Sequence, residues 1–600
     1  MRDTIVGHFV DRARRDGGRL ALRELGAAGA PTDRSLSWRE WEEESRAFAA
    51  ALVAAGVTEG SRIAILAGNT TVWPIADLGT LMAAAVSVGV YPTSSSEQLQ
   101  ALLDDCGAQL LVVEGAAAWR TVIGLKAVPA SLRRVIVRDV EVLPKRLGPA
   151  SVGEWDDWLR RGHTALLGDA IAAGLQARME AIRPPDLATL IYTSGSTGQP
   201  KGACLTHRYV TASAESVRDT LGLREDDSSL SFLPFAHAAE RIFGLYTRVL
   251  VGMSAGLVRD HARVFDAARA FSPTLLGGVP RLFEKLYEAL LSEESRAGAS
   301  WTRALRLGLT RSRLRRNGEV VPPSLQRQWE GSVAPLRAWL SGLVGERLRL
   351  ATSGGAALPT AVAETLDAVG ITVLGAYGLT EHLCVAFNRP DAYAFDSVGT
   401  PMPGTRLRVA EDGELYVRRS DLTFSGYYGM ADASAMAFTD DGQWLLTGDL
   451  AAIDDRGVVR ITGRKKELIA LSGGKKVAPL AIEARLVEDP WIAHAMCYGE
   501  GRRFLSALLF LRVSVVQEWA RTQGLDCSAE DFTSHPVVLA RVQAVLDRVN
   551  AQMASPERIK AFHLIGRELS ADEGELTETM KLRRPVIAER FRSQLEALYA

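Results

Sequence analysis

Six hundred residues exceed what one hydrophobic core supports, so two or more domains are expected. A hydrophobic share of 47% beside a charged share of 24% describes an ordinary globular protein, and a formal net charge of -1 removes any electrostatic reason to expect nucleic acid. The cysteines (Cys106, Cys204, Cys384, Cys497 and Cys527) are scattered without CxxC spacing, which excludes a zinc ribbon or disulfide scaffold and fits a reducing compartment.

From the N-terminus, Met1-Arg2-Asp3-Thr4 leads into an amphipathic stretch charged at Asp11, Arg12 and Arg14, with no apolar core of signal-peptide type. No window approaches the ~20 apolar residues that span a bilayer. The expectation is a cytoplasmic protein that at most touches a membrane from outside. Arg62–Leu66 reads as a buried strand, Ile75–Ala84 as a helix, and Ala85–Val90 and Gln109–Val113 as further strands. Such alternation predicts an α/β fold with parallel sheet covered by helices on both faces, and ligands beyond the carboxyl ends of the strands.

The apolar run Leu187–Tyr192 ends in Thr193-Ser194-Gly195-Ser196-Thr197-Gly198-Gln199-Pro200-Lys201-Gly202. A strand ending in hydroxyls and glycines offers backbone and side-chain donors without bulk, which suits a polyphosphate. The spacing differs from the other familiar phosphate loop, because Gly198 is followed by Gln-Pro before Lys201. A plain surface loop is the alternative.

Between about 291 and 340 the rhythm breaks. Six arginines fall between Arg303 and Arg316 with no acid among them, and Leu305, Leu307, Leu309 and Leu314 do not separate from them at helical angles. A solvated insertion is predicted, with contact to anionic lipid as the alternative. After Gly463 the remaining residues read as a small α/β domain, giving an N-terminal domain over 1–463 and a C-terminal domain over 464–600.

Four further motifs follow the loop in order: Tyr377-Gly378-Leu379-Thr380-Glu381, Thr447-Gly448-Asp449, Gly463-Arg464-Lys465-Lys466-Glu467 and Thr579-Met580-Lys581. Together with Thr193–Gly202 they resemble the adenylate-forming superfamily, the acyl-CoA synthetases and their relatives. The resemblance implies a large N-terminal domain, a small mobile C-terminal domain, and ATP, Mg²⁺ and coenzyme A as reaction partners. It assigns the phosphates to Thr193, Ser194, Gly195, Ser196, Thr197, Gly198 and Lys201, and the adenine side to Gly354, Gly355, Ala356 and Tyr377. Thr380 would donate to the α-phosphate, and Glu381 would hold Mg²⁺, a hard cation that prefers oxygen ligands. Asp449 would accept the ribose hydroxyls with Arg464 beside it. Lys581 would bridge the attacking carboxylate and the α-phosphate, against the plain alternative of a solvated lysine next to Arg583 and Arg584. Lys466 matches the hinge, and Gly473, Gly474 and Lys475 would face the thiol after a rotation, although Gly473-Gly474 also fits a hairpin turn.

Phe232-Leu233-Pro234-Phe235-Ala236-His237 with Glu240-Arg241, and the stretch Thr274–Lys285, resemble the long-chain branch. There His237 would border the acyl pocket; a core histidine is the alternative. The reading is fatty acid to acyl-CoA by way of acyl-AMP. A fatty acyl-AMP ligase serving a carrier protein is disfavoured by the uninterrupted run from Gly463 to Pro479. An inactive adenylate-binding protein is disfavoured by Lys581, Glu381, Asp449 and Arg464 occurring together. Oligomeric state is left open.

Overall fold

The computed structural model describes residues 3–26, 34–193, 201–294, 297–524, 531–570, 573–577 and 581–600. Among these residues two large sheets dominate. In the first, of nine strands, the strands Leu20–Glu24, Ser254–Leu257, Ser228–Ser231, Leu275–Gly278, Leu350–Ser353 and Val373–Leu379 run parallel side by side. Antiparallel strands flank them, His382–Phe387 and then Thr400–Pro401 on one side and Ser35–Ser37 on the other. In the second sheet, Leu187–Thr193, Val86–Gly89, Arg62–Leu66, Leu110–Glu114 and Arg134–Arg138 are parallel in that spatial order.

The predicted strands are therefore present and parallel. Arg62–Leu66 and Leu110–Glu114 are buried almost throughout, which explains their unbroken apolar sequence. The helix expected over 75–84 spans Val72–Met82, and all its residues are buried. Its side chains join one core cluster with Ile63, Ile65 and Val112 of the second sheet and Ala255, Leu257 and Leu374 of the first.

A four-stranded antiparallel sheet follows, in the order Leu407–Val409, Glu414–Arg418, Trp444–Ile453, Val459–Arg464. Beyond it, Ile492–Tyr498, Leu505–Leu511 and Ile559–Ile565 form a small sheet covered by Pro536–Asn550 and Pro479–Leu486. This region has its own apolar cluster, built on Ile492, Leu509, Val516, Val542 and Leu564. No helix among the described residues is long and apolar enough to cross a membrane.

The arginine-rich segment departs from the solvated insertion predicted for it. Ala299–Arg316 is a helix that buries Trp301, Ala304, Leu305, Gly308 and Ser312 against the helix Thr360–Val369. The buried stripe is mostly small residues, so it escapes a hydrophobicity pattern. A Cβ on Gly308 would stand 2.3 Å from the carbonyl oxygen of Ala368, so only glycine permits this approach. Buried Asp367 pairs with Arg311 at 3.0 Å and with Arg315, and accepts from Ser312 Oγ at 2.5 Å. Arg303, Arg306 and Arg313 stay exposed.

Candidate active site

The carboxyl ends of parallel strands place the first motifs. Thr193 ends its strand opposite Lys201, the first residue of the antiparallel return strand Lys201–Thr206. Ser194, Gly195, Ser196, Thr197 and Gly198 lie outside the described residues, as does the side chain of Thr193. The return strand is stitched to the segment Phe424–Tyr428: Cys204 N–H donates to Gly426 at 2.9 Å and Tyr428 N–H to Gly202 at 2.8 Å. This brings the Lys201 ammonium to 5.3 Å from the centre of the Tyr427 ring, within cation–π range.

Tyr427 in turn donates its hydroxyl to Glu381 Oε1 at 2.5 Å. Glu381 and Thr380 form the turn between Val373–Leu379 and the antiparallel strand His382–Phe387, not the start of a helix. A Cβ on Gly378 would stand 1.8 Å from the Leu383 carbonyl oxygen across this hairpin. The buried Tyr209 hydroxyl donates to the Thr380 carbonyl and accepts from Leu383 N–H, both at 3.0 Å, and Phe424 N–H donates to the Glu381 carbonyl at 2.8 Å. The turn is thus held from two sides. Glu381 is half-buried, and its Oε2 has no hydrogen bond among the described residues. That carboxylate oxygen, linked through Tyr427 to the Lys201 ammonium, fits Mg²⁺, which takes one or two carboxylates and fills its shell with phosphate oxygens and water.

Asp449 is buried on the strand Trp444–Ile453, directly opposite Arg464. Its Oδ1 forms an ion pair with Arg464 Nε at 2.9 Å, and its Oδ2 accepts from the Tyr377 hydroxyl at 2.5 Å. Thr447 aims it: Asp449 N–H donates to Thr447 Oγ1 at 3.1 Å, and Gly448 turns through φ 71°. Burial, reinforced by the neighbouring Asp449 carboxylate, drives the Tyr377 pKa far up, so its hydroxyl stays a donor. A carboxylate has roughly four acceptor sites, so Asp449 retains capacity for further hydroxyls. Gly354, Gly355 and Ala356 form the loop after Leu350–Ser353; Ser353 pairs with Gly375, which sets the loop beside Ala376 and Tyr377.

Lys581 arrives from the far end of the chain. Thr577 N–H donates to the Lys581 carbonyl at 2.8 Å and Lys581 N–H to Thr577 Oγ1 at 3.0 Å, closing a short loop; Thr579 and Met580 within it lie outside the described residues. Lys581 keeps an exposed surface, yet enough protein surrounds it that desolvation, followed by the charge of Arg464, lowers its pKa, while Asp449 and Glu467 pull the other way. Its charge also reaches His237. Burial first, then Lys581, pushes the His237 pKa down to about 4. Its Nδ1 accepts from Ala239 N–H at 3.2 Å, which leaves the proton of the neutral ring on Nε2. Lys581, Arg464, Asp449, Glu467 and His237 therefore share one electrostatic neighbourhood.

Lys466 lies in the short turn Lys465–Glu467, exposed, immediately after Arg464. Gly473, Gly474 and Lys475 form the exposed tip of a hairpin between Ile469–Ala470 and Lys476–Val477. The hydrogen bonds of this hairpin run within it and to the Gly499–Arg502 turn, not to the cluster around Asp449. Sequence reasoning missed Tyr427 and Glu414. Glu414 is buried and accepts from Gly448 N–H at 2.9 Å and Lys465 Nζ at 2.7 Å, tying the neighbours of Asp449 and Arg464 together. The only sequence signal for it is an acid at the start of an apolar strand.

The chain matches the family described as AMP-binding enzyme over residues 9–428, and AMP-binding enzyme C-terminal domain over residues 466–600. The long-chain-fatty-acid–CoA ligase FadD15 of Mycobacterium bovis is 33% identical over 93% of this chain and 91% of its own length. The long-chain-fatty-acid–CoA ligase ACSBG2 of Xenopus laevis is 27% identical over 94% of this chain and 80% of its own. Among solved structures, the anthranilate CoA ligase AuaEII in complex with anthranoyl-AMP aligns with a TM-score of 0.72 at 20% identity, covering 99% of this chain and 98% of its own. The adenylation domain of the carboxylic acid reductase from Segniliparus rugosus, in complex with AMP and a co-purified carboxylic acid, aligns at 0.70 and 21%, covering 99% and 94%. At such identities these two structures establish the shared fold.

Proposed function

The chain belongs to the AMP-binding enzyme family, and on that premise we propose that it ligates a long-chain fatty acid to coenzyme A by way of an acyl-adenylate. The observation that carries this reading is the buried Asp449 carboxylate held by Arg464 at 2.9 Å and by the Tyr377 hydroxyl at 2.5 Å, with Lys581 within reach of its charge. In the first half-reaction a carboxylate oxygen bonds to the α-phosphorus of ATP and pyrophosphate leaves. In the second, the CoA sulfur bonds to the acyl carbon and AMP leaves.

The obstacle in the first step is anion meeting anion: two unit charges 4 Å apart repel by about 4 kcal/mol at an effective dielectric near 20. Lys581 and Lys201 are the cations assigned to this charge, with His237 Nε2–H as a neutral donor on the acyl side and Thr380 as a donor to the α-phosphate. Asp449 and Arg464 take the ribose hydroxyls, and Gly354, Gly355, Ala356 and Tyr377 the adenine. Glu381 Oε2 would hold Mg²⁺, which supplies neutralising charge to the phosphates. Catalysis of this kind is mainly positioning plus electrostatic stabilisation.

We assign the two units to 1–463 and 464–600, with Lys466 at the junction and the Gly473–Lys475 hairpin as the face presented to the thiol after rotation. The unbroken run from Gly463 to Pro479 favours CoA over a carrier protein as acceptor. Exposed Arg303, Arg306 and Arg313 would face an anionic lipid surface in a peripheral contact.

Two measurements test this reading. ATP–pyrophosphate exchange should depend on Mg²⁺ and on a fatty acid of the palmitate class; a higher kcat/KM with acetate or an aromatic acid would remove the long-chain assignment. Asp449→Ala should raise the KM for ATP roughly tenfold to a hundredfold, the equivalent of a charge-assisted hydrogen bond of about 1.5–3 kcal/mol, while the KM for fatty acid stays within about twofold. An unchanged KM for ATP would return Asp449 to a purely structural role.

A further inference from the structure

Lys581 is effective only if the C-terminal unit holds it at the right place, and a set of ion pairs runs from the N-terminal unit to the base of its loop. Arg281 lies in the first turn of the helix Pro280–Glu294, just after the strand Leu275–Gly278, whose Gly278 carbonyl accepts from Gly354 N–H at 3.1 Å. Its guanidinium is shared among Glu288 at 3.0 Å, Glu284 at 3.3 Å and, across the junction, Glu568 at 3.3 Å. The next residue back, Arg567, turns the other way and grips Glu575 with two hydrogen bonds of 2.6 and 2.8 Å.

Glu575 is fully buried and is the anchor of the Lys581 loop. It accepts from Arg590 at 2.8 Å and from Ser570 N–H at 3.0 Å, and its carbonyl accepts from Arg583 N–H at 2.8 Å. Two residues on, Thr577 closes the loop onto Lys581, and Leu576 bridges to Leu582 at its base. A second crossing pair, Arg512 to Glu288 at 3.3 Å, returns to the same helix.

We propose that Arg281 and Glu568, coupled through Arg567 and Glu575, form a positioning relay that sets Lys581 at the reacting centre during adenylation, an inference that rests on the adenylating role assigned to Lys581. The placement explains why adjacent residues of opposite charge point to opposite sides. Glu568 fixes the unit to the helix that follows the strand Leu275–Gly278, and Arg567 fixes the lysine loop to the unit. An isolated surface ion pair contributes little. Here Arg281 is only 25% exposed and serves three carboxylates, so the geometry of the junction depends on it.

The test separates the half-reactions in the full chain. Glu568→Arg sets like charges face to face and should lower kcat for acyl-AMP formation from palmitate and ATP by about tenfold or more, with both KM values within about twofold. The same variant should keep its parental melting transition and convert supplied palmitoyl-AMP plus CoA to thioester at the parental rate. The milder Arg281→Gln and Glu568→Gln should each lose several-fold, and the double variant should be no slower than the slower single, as coupled partners require. Parental adenylation by Glu568→Arg, equal loss of both half-reactions, or multiplicative losses in the double variant would overturn the relay. Lys581→Ala in the same assay separates the two failures. If it adenylates normally, the role of Lys581 and the relay fall together; if it is inactive while Glu568→Arg is normal, the relay alone falls.

Discussion

Lys581→Ala should reduce acyl-AMP formation from a long-chain fatty acid and ATP by at least about a hundredfold and leave conversion of supplied acyl-AMP plus CoA largely intact. The magnitude follows from Coulomb's law. A carboxylate meeting one phosphate charge at 4 Å is opposed by about 4 kcal/mol at an effective dielectric near 20, and each 1.4 kcal/mol is about tenfold in rate. Lys201 and Arg464 remain in the variant, so the loss falls short of the whole electrostatic contribution. Arg464 is already committed to Asp449 at 2.9 Å, and Lys201 stands over Tyr427 near Glu381, on the phosphate-loop side. Neither replaces an ammonium in the neighbourhood of His237. The second half-reaction brings no carboxylate to a phosphate, so it loses little. Lys581→Arg is the informative companion, because it restores charge but not the shape of an ammonium on its loop, and should recover only part of the rate. Pyrophosphate release and acyl-AMP quantified without CoA read the first step. Equal loss of both steps in a folded variant would make Lys581 a general binding contact.

Much of this site was legible because its residues sit at strand ends or opposite one another in register. Asp449 and Arg464 occur in separate motifs, yet they are cross-strand neighbours, a relation that two consecutive apolar strands already imply. The strand Leu187–Thr193 was legible from its apolar run, but its antiparallel pairing with Lys201–Thr206, which sets Lys201 opposite Thr193, was not read from the sequence. What stayed hidden depends on contacts distant in sequence. Tyr427 bonds Glu381 and Glu414 bonds Lys465, and nothing local to any of them records the partner. The helix Ala299–Arg316 was misread for a different reason. Its buried face is Ala304, Gly308 and Ser312 between Trp301 and a pair of arginines answered by Asp367, so the packing signal lies in smallness and in a remote acid. Glu240 and Arg241 were visible only as a motif. The turn Glu240–Tyr246 is π-helical, a wider winding that a period of 3.6 residues does not describe.

That π-helical turn carries the largest expected effect on stability: Arg241→Met should destabilise the fold by about 3–5 kcal/mol, because it leaves Asp77 without its buried partner. Arg241 and Asp77 are both fully buried. Arg241 pairs with Asp77 on the helix Val72–Met82, donates to Ser87 Oγ at 2.5 Å and to the Tyr246 hydroxyl at 3.1 Å, and lies 4.7 Å from the centre of the Trp73 ring. Its neighbour Glu240 faces a different buried set, Ser231 and Arg248, the latter at 3.3 Å. The two consecutive charged side chains reach separate partners, and the Arg241 N–H donates to the His237 carbonyl at 3.0 Å, an α-type bond at the entry to the π-helical turn. Asp77 Oδ2 and Arg241 Nη1 find no hydrogen-bond partner among the described residues, so the pair is not an optimised source of stability. Replacing both charges should therefore cost far less than replacing one: Asp77→Leu with Arg241→Met should recover most of the loss. Urea unfolding followed by far-UV circular dichroism reads the stability, and the twelve tryptophans report on the whole chain rather than on Trp73 alone. If Arg241→Met unfolds within about 0.5 kcal/mol of the parent, the buried pair is not charged in the folded protein. If instead the double variant is stable but adenylates slowly, the pair serves to hold His237 in place rather than to hold the fold together.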